Sequence, residues 1–210
     1  PHDVSLSFLP WAHSYGQTCE LWGSMAHGAS MGIARSVPQL LEDLQLVRPT
    51  ILFAVPTLFN KIYDGVHATI ASASPIRKTL MTRALAAGHE KDEANQGHRG
   101  PLGMVEELEY NVLNKVVLSK IRDRFGGNLR NAFVAGAACP PEVLRFMDAI
   151  GIQVCEGYGL TETSPIIAIN TPQVRKVGTV GKPIDGVSVF ICDAETHKPV
   201  PDGQEGEICC

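Results

Sequence analysis

The sequence predicts an α/β protein: mostly parallel sheet flanked by helices, with a β-rich portion towards the C-terminus. Three observations predict it. Short apolar runs alternate with helical periodicities through residue 155, the pattern of repeated strand–helix units. Residues 50–55 form a continuous apolar run closed by Pro49 and Pro56, which suits a strand buried on both faces. After residue 166 only short strand-like runs remain, separated by Gly- and Pro-containing turns.

Each element follows from local pattern. Ser5, Leu6, Ser7 and Phe8 alternate into Pro10, a short strand. From Ser14 the chain turns helical towards Met25, and residues 28–34 read as a buried strand of small residues. Ser36 caps a helix through Val47, with Leu40, Leu41 and Leu44 on one face and Pro49 past its end. Beyond the 50–55 strand, Leu58, Ile62, Val66 and Ile70 recur at four-residue spacing, a helix. Residues 74–125 make a helical segment with a polar loop: helix over 74–87, loop over 88–101, and an amphipathic helix over 106–125 stopped by Gly126-Gly127. A strand at 129–135, a helix at 141–150 and a strand at 152–155 follow. Strands at 166–169, 187–192 and 206–210 complete the chain, with Pro201-Asp202-Gly203 turning before the last. Residues 177–210 are read as the β-rich start of a further subdomain.

Composition sets bounds. At 210 residues the chain suits one large domain, and 44% apolar and 19% charged residues are ordinary for a folded protein. A net charge of −4 and the lack of a Lys/Arg block argue against nucleic acid and against an anionic membrane surface. Six cysteines, Cys19, Cys139, Cys155, Cys192, Cys209 and Cys210, show no metal or redox spacing and fit reduced thiols of a cytoplasmic protein. The longest apolar stretch, residues 51–59, contains Pro56 and falls far short of the ~20 residues of a membrane span. The chain begins at Pro1 and stops at Cys210 within a predicted strand, so an internal piece of a longer protein is expected.

Ligands of parallel α/β sheets bind beyond the carboxyl ends of the strands. Gly136-Ala137-Ala138 and Gly157-Tyr158-Gly159 each follow a predicted strand directly. Glycines there let a ligand approach the backbone closely. Tyr158 offers a flat face for a base, Thr161 a hydroxyl for a phosphate oxygen, and Glu162 a hard carboxylate for Mg2+. The plainer readings are a carboxylate meeting a helix dipole and a core tyrosine.

Three segments in order carry a resemblance. Residues 156–165, Glu-Gly-Tyr-Gly-Leu-Thr-Glu-Thr-Ser-Pro, resemble the Tyr-Gly-x-Thr-Glu signature of the AMP-forming, adenylate-producing ligases: acyl-CoA synthetases, firefly luciferase and the adenylation domains of peptide synthetases. Residues 8–16, Phe-Leu-Pro-Trp-Ala-His-Ser-Tyr-Gly, are similar to that family's Leu-Pro-x-x-His element, and residues 177–183, running on to Gly206-Glu207-Ile208, to the segment after the Thr-Glu signature. The likeness spans essentially the whole chain and implies part of the adenylate-forming large domain. It implies ATP, Mg2+ and CoA, with Glu162 as the Mg2+ ligand, Thr161 on a phosphate oxygen and Tyr158 stacked on adenine. Gly136, Ala137 and Ala138 would lie along the adenine and acyl channel, and Glu156 with Gly157 and Gly159 near the base. His13 would orient the carboxylate and α-phosphate, an imidazole N–H being a suitable donor to an oxyanion. A satisfied core histidine is the bland alternative. Trp11 and Tyr15 are candidates for the acyl entrance. Gly178, Gly181, Pro183 and Gly186 read as turn residues. The other histidines, His2, His27, His67, His89, His98 and His197, form no ligand spacing, so no metal beyond Mg2+ is expected.

Amino-acid adenylation domains hold the substrate ammonium with an Asp near the element matching residues 8–16. No acidic residue stands there, the nearest being Glu20, which disfavours an amino-acid substrate. The 74–125 segment and Leu118-Ser119-Lys120-Ile121-Arg122, with Phe125-Gly126-Gly127, resemble long-chain fatty acyl-CoA synthetases. Fatty acid, ATP and CoA are thus the expected partners, without nucleic acid, and peripheral membrane association of the parent stays open. The family's phosphate loop with its Lys, the ribose Asp and the C-terminal Lys are expected outside these residues, so the chain alone is expected to be inactive. Another carboxylate-activating ligase, or a non-catalytic nucleotide- or acyl-binding module, remains the alternative.

Overall fold

The computed structural model describes residues 3–210; Pro1 and His2, and with them the reading of His2, lie outside the described residues. Its centre is a five-stranded sheet. Strands β3 (Ile51–Ala54), β4 (Asn131–Val134) and β5 (Gln153–Tyr158) run parallel, pairing Phe53 with Phe133 and Phe133 with Cys155. Two short antiparallel strands, β6 (Ala168–Ile169) and β7 (Lys182–Pro183), extend it beside β5. A parallel pair, β1 (Val4–Ser7) and β2 (Ser30–Ile33), adjoins β3, with the Thr50 amide donating to the Val4 carbonyl at 2.8 Å. A separate hairpin of β8 (Phe190–Cys192) and β9 (Glu207–Cys209) ends the chain.

The helices are α1 (Gly23–Ala26), entered through a π-helical turn Gly16–Trp22, then α2 (Leu40–Val47), α3 (Pro56–Ala71) and α4 (Pro75–Asn95). Next come α5 (Met104–Leu113), continued by a π-helical turn Asn114–Leu118 into α6 (Ser119–Arg122), and α7 (Pro141–Ala149). Prolines open α3, α4 and α7, where the missing N–H has no partner to lose. Leu58, Ile62, Val66 and Ile70 of α3 are all buried, as their spacing requires.

Alternation along the strands sorts the sheet into two unlike faces. Leu52, Ala54, Ala132, Val134 and Val154 join the core with the apolar stripes of α3, α4 and α7. Phe53 and Phe133 point the other way, stacked at 5.5 Å, with the Tyr15 ring edge-on to Phe53 at 6.5 Å. The α/β class and mostly parallel sheet hold, but the long helices gather on one face, leaving a half-open aromatic surface on the other.

Several boundaries differ from the sequence reading. The polar stretch over 88–101 is helical as far as Asn95, within α4, and irregular only beyond it. Gly88 is no breaker: it sits where α4 crosses α7, and a Cβ there would stand 2.0 Å from the Ala149 carbonyl oxygen. Helix α2 starts at Leu40, because the Ser36 hydroxyl donates to the Gln39 side chain at 3.0 Å instead of capping backbone amides. Strand β2 is a half-exposed edge, not a buried strand. Lys182 and Pro183 belong to β7 although Pro183 reads as a turn residue.

A buried pair ties the C-terminal half to the core. The Arg175 guanidinium donates to Asp148 at 2.5 Å and to the Val154 carbonyl at 2.9 Å, clamping the loop after β6 onto α7 and β5. Burial pushes the Asp148 carboxyl up to about 6.

Candidate active site

A cavity of about 300 Å3 opens beyond the carboxyl ends of β3, β4 and β5, where parallel sheets bind ligands. Three separate stretches of chain, together with Phe53 of β3, build it. From the first come His13, Ser14 and Tyr15; from the second Phe133 to Gly136; from the third Gly157 to Glu162. The hydroxyl oxygens of Ser14 and Thr161 stand 3.4 Å apart across 147 positions of sequence, joining the first stretch to the third.

The loop carrying Thr161 and Glu162 is fixed from within. The Leu160 amide donates to Thr163 Oγ1 at 3.0 Å, the Thr163 amide donates to the Leu160 carbonyl at 3.1 Å, and the Ile167 amide returns to the Tyr158 carbonyl at 2.8 Å. Gly159 is demanded by this fold-back and not by ligand approach, since a Cβ would lie 1.6 Å from the Pro165 carbonyl oxygen. Gly136 serves the cavity differently: at φ +87 it turns the chain after β4 and leaves its surroundings open, with the nearest atom to a Cβ at 3.9 Å.

His13 is exposed, and its Nδ1 accepts from the Tyr15 amide at 3.2 Å. That bond assigns the neutral imidazole proton to Nε2, which is thereby a free donor for an anion. The Tyr15 phenol donates to the Phe133 carbonyl at 2.9 Å, and burial keeps it protonated. Cys19 lines the same cavity, but desolvation lifts its thiol to about 11, so it is no thiolate nucleophile.

Glu162 is exposed and without an ion-pair partner among the described residues. No cluster of three or more metal-binding side chains exists among those residues. One carboxylate beside a threonine hydroxyl fits Mg2+, which keeps several waters and takes the rest of its ligands from substrate phosphates. The half-buried Tyr158 in the wall and the open space at Gly136 fit a flat base.

Of the residues read from sequence, His13, Gly136, Gly157, Tyr158, Gly159, Thr161 and Glu162 meet at this cavity. Ala137 and Ala138 are exposed just outside its lining. Glu156 does not face it: the carboxylate accepts from the Gly178 amide at 3.2 Å, and the carbonyl accepts from the Asn170 amide at 2.8 Å. Burial raises the Glu156 carboxyl above the ordinary carboxylate range. Trp11 does not line it either, since its indole N–H donates to Ser7 at 3.0 Å. Glu20, the acid nearest residues 8–16, is fully buried against the Ser7 hydroxyl at 2.6 Å and away from the cavity. Phe53 and Phe133 are among the lining residues that sequence reading missed, with Ser14. The signal was the strand register, which turns alternate positions of apolar strands to opposite faces.

A family model described as AMP-binding enzyme matches residues 1–210. The chain belongs to this family. It is similar to the peroxisomal long chain acyl-CoA synthetase 7 of Arabidopsis thaliana, at 34% identity over 218 residues, covering 100% of this chain and 29% of the relative. It is also similar to the long-chain-fatty-acid–CoA ligase FadD15 of Mycobacterium bovis, at 32% identity over 188 residues, covering 90% of this chain and 30% of the relative. The chain thus spans about three-tenths of the length of these relatives. A crystal structure of a benzoate CoA ligase from Burkholderia xenovorans shares the fold, with a TM-score of 0.62 and 23% identity over 99% of this chain and 32% of that one. The shared fold accounts for the sheet.

Proposed function

We propose that this chain forms the adenylating core of an ATP-dependent ligase that joins a long-chain fatty acid to CoA. The observation that carries the reading is the meeting of His13 and Ser14 with Thr161 and Glu162 around one cavity beside Gly136. In the first step a carboxylate oxygen bonds to the α-phosphorus of ATP as the bond to pyrophosphate breaks. In the second the CoA thiol, its proton given up to solvent, bonds to the acyl carbon as AMP leaves.

The residues divide the work. Tyr158 and the open turn at Gly136 receive the base. Thr161 donates to a phosphate oxygen, and Nε2 of His13 donates to the carboxylate and α-phosphate oxygens as they approach each other. Glu162 would hold Mg2+, which when bound supplies positive charge to the phosphates. Such fixed donors act most where charge develops in the transition state. The acceptor thiol is taken as that of CoA from the relatives named as acyl-CoA synthetases and CoA ligases.

Relatives named as long-chain acyl-CoA synthetases support the fatty-acid assignment. A second reading, an aromatic carboxylate, is favoured by the stacked Phe53 and Phe133 in the wall. Acyl-CoA formation by the intact protein that carries this chain separates the two. At ~0.8 kcal/mol per buried methylene, palmitate should exceed octanoate in kcat/KM by well over tenfold. Preference for benzoate over both would replace the fatty-acid reading with the aromatic one.

A further inference from the structure

Glu20 is a carboxylate that the fold buries completely and the proposed reaction does not touch. Its Oε2 accepts from the Ser7 hydroxyl at 2.6 Å, while its Oε1 is buried without a hydrogen-bond partner among the described residues. No cation pairs with it among those residues. Burial pushes the carboxyl above its ordinary range, against the Ser7 hydroxyl and the Phe8 amide, which favour the charged form. A half-satisfied buried carboxylate costs stability. What this one supplies is geometry. The Ser7 hydroxyl that it holds accepts in turn from the Trp11 indole N–H at 3.0 Å. Both ends of the stretch from Ser7 to Trp11 are thereby tied to one residue of the π-helical turn Gly16–Trp22.

His13 stands two residues beyond Trp11, and the same turn closes on it from the other side. The His13 amide donates to the Pro10 carbonyl at 2.9 Å, and a Cβ on Gly16 would lie 2.6 Å from that carbonyl oxygen. The Gln17 amide donates to the His13 carbonyl at 2.9 Å. The ring accepts from the Tyr15 amide at 3.2 Å, the long end of the hydrogen-bond range, so a small shift of the backbone would break that bond.

We propose that Glu20 is a positioning residue for His13: through Ser7 and Trp11 it fixes the loop over 8–12, and with it the direction in which Nε2 of His13 presents its proton to the cavity. The inference rests on the adenylating role given to His13 above and carries it to the residue that sets the place of the imidazole.

Two measurements on the intact protein test it, and one of them needs no reaction. In the Ser7→Ala/Glu20→Leu variant the donor and the acceptor leave together, so neither is orphaned, and unaltered thermal melting shows that the fold is kept. The maximal rate of fatty-acid-dependent exchange of labelled pyrophosphate into ATP should fall about ten- to a hundredfold. KM for ATP should stay unchanged, because the groups that receive the base and the phosphates are untouched. Glu20→Gln keeps an acceptor for Ser7 and should retain most of the rate. In a His13→Ala background the paired substitution should lower the rate no further, as expected of a residue that acts through another. The second measurement is the nitrogen NMR spectrum of labelled histidine at about pH 8, where an ordinary imidazole is neutral. The His13 signals, identified by their loss in His13→Ala, should show the Nε2–H form in the wild type and a mixture of tautomers in the paired variant.

An unchanged tautomer in the folded variant, or the same loss of rate with and without His13, overturns the proposal. Should the paired variant melt early, Trp11→Phe decides by the same two criteria, since Trp11 is 38% exposed and the substitution removes the indole N–H while keeping an aromatic ring. Absence of exchange in the wild type would overturn the adenylating reading instead, and the tautomer would still show whether Glu20 places the imidazole.

Discussion

Glu162 is exposed and unpaired among the described residues, in the wall of a cavity with no other carboxylate and no Lys or Arg in its lining. A carboxylate without a partner at this position is free to meet a phosphate-bound cation. Its neighbour Gly159 is the opposite case, fixed by packing. Replacing Gly159 with Ala forces the loop away from Pro165 and should cost about 1–3 kcal/mol, read as a lowered urea midpoint with an unchanged slope. An unchanged midpoint would mean that the fold-back after β5 does not have this geometry. Thr161, Glu162 and His13 were legible because their chemistry is written in residue type and order. Phe53 and Phe133 were not, because an aromatic in an apolar strand looks the same whether it faces the core or a cavity. Glu156 misled for a related reason: adjacency in sequence to a site residue does not fix the direction of a carboxylate, and the strand turns this one towards Gly178.

At the scale of elements, ion pairs join α4 to α5 alongside the apolar contact of Ala84, Ala87 and Leu113. The Gly103 amide and then Arg99 hold the Glu106 carboxyl below its ordinary 4.5, and Arg83 does the same for Glu109. A carboxyl whose folded pKa is depressed stabilises the fold above the ordinary value, and that contribution is lost as pH falls through the depressed one. The urea midpoint should therefore drop as pH is lowered below about 4.5, and Arg83→Gln should flatten that drop. Equal slopes for the two proteins would remove the ion pairs from the account. The polar residues over 89–95 hid the length of α4, since charge density resembles a loop while Glu, Lys and Ala are good helix formers. Gly88 strengthened the error by suggesting a break where the structure needs a close helix crossing. Terminal boundaries were blurred for a simpler reason: the last strands are two or three residues long, too short for a periodicity to register.

For the whole molecule, the α/β class was legible because alternation of strands and helices leaves few topologies open. The uneven coverage of the sheet was not, since no single segment encodes which face the helices choose. That unevenness is what leaves Phe53 and Phe133 half open beneath the segment carrying His13, and it lets three distant stretches share one cavity. The central claim is that this cavity activates a carboxylate through ATP, with Glu162 holding the metal. The most direct measurement is fatty-acid-dependent exchange of labelled pyrophosphate into ATP by the intact protein, compared with its Glu162→Gln variant. The account predicts exchange in the wild type and a loss of about a hundredfold or more in the variant, with thermal stability unchanged because the side chain is exposed and unpaired. Exchange at the wild-type rate in the variant, with the same dependence on magnesium, would contradict it.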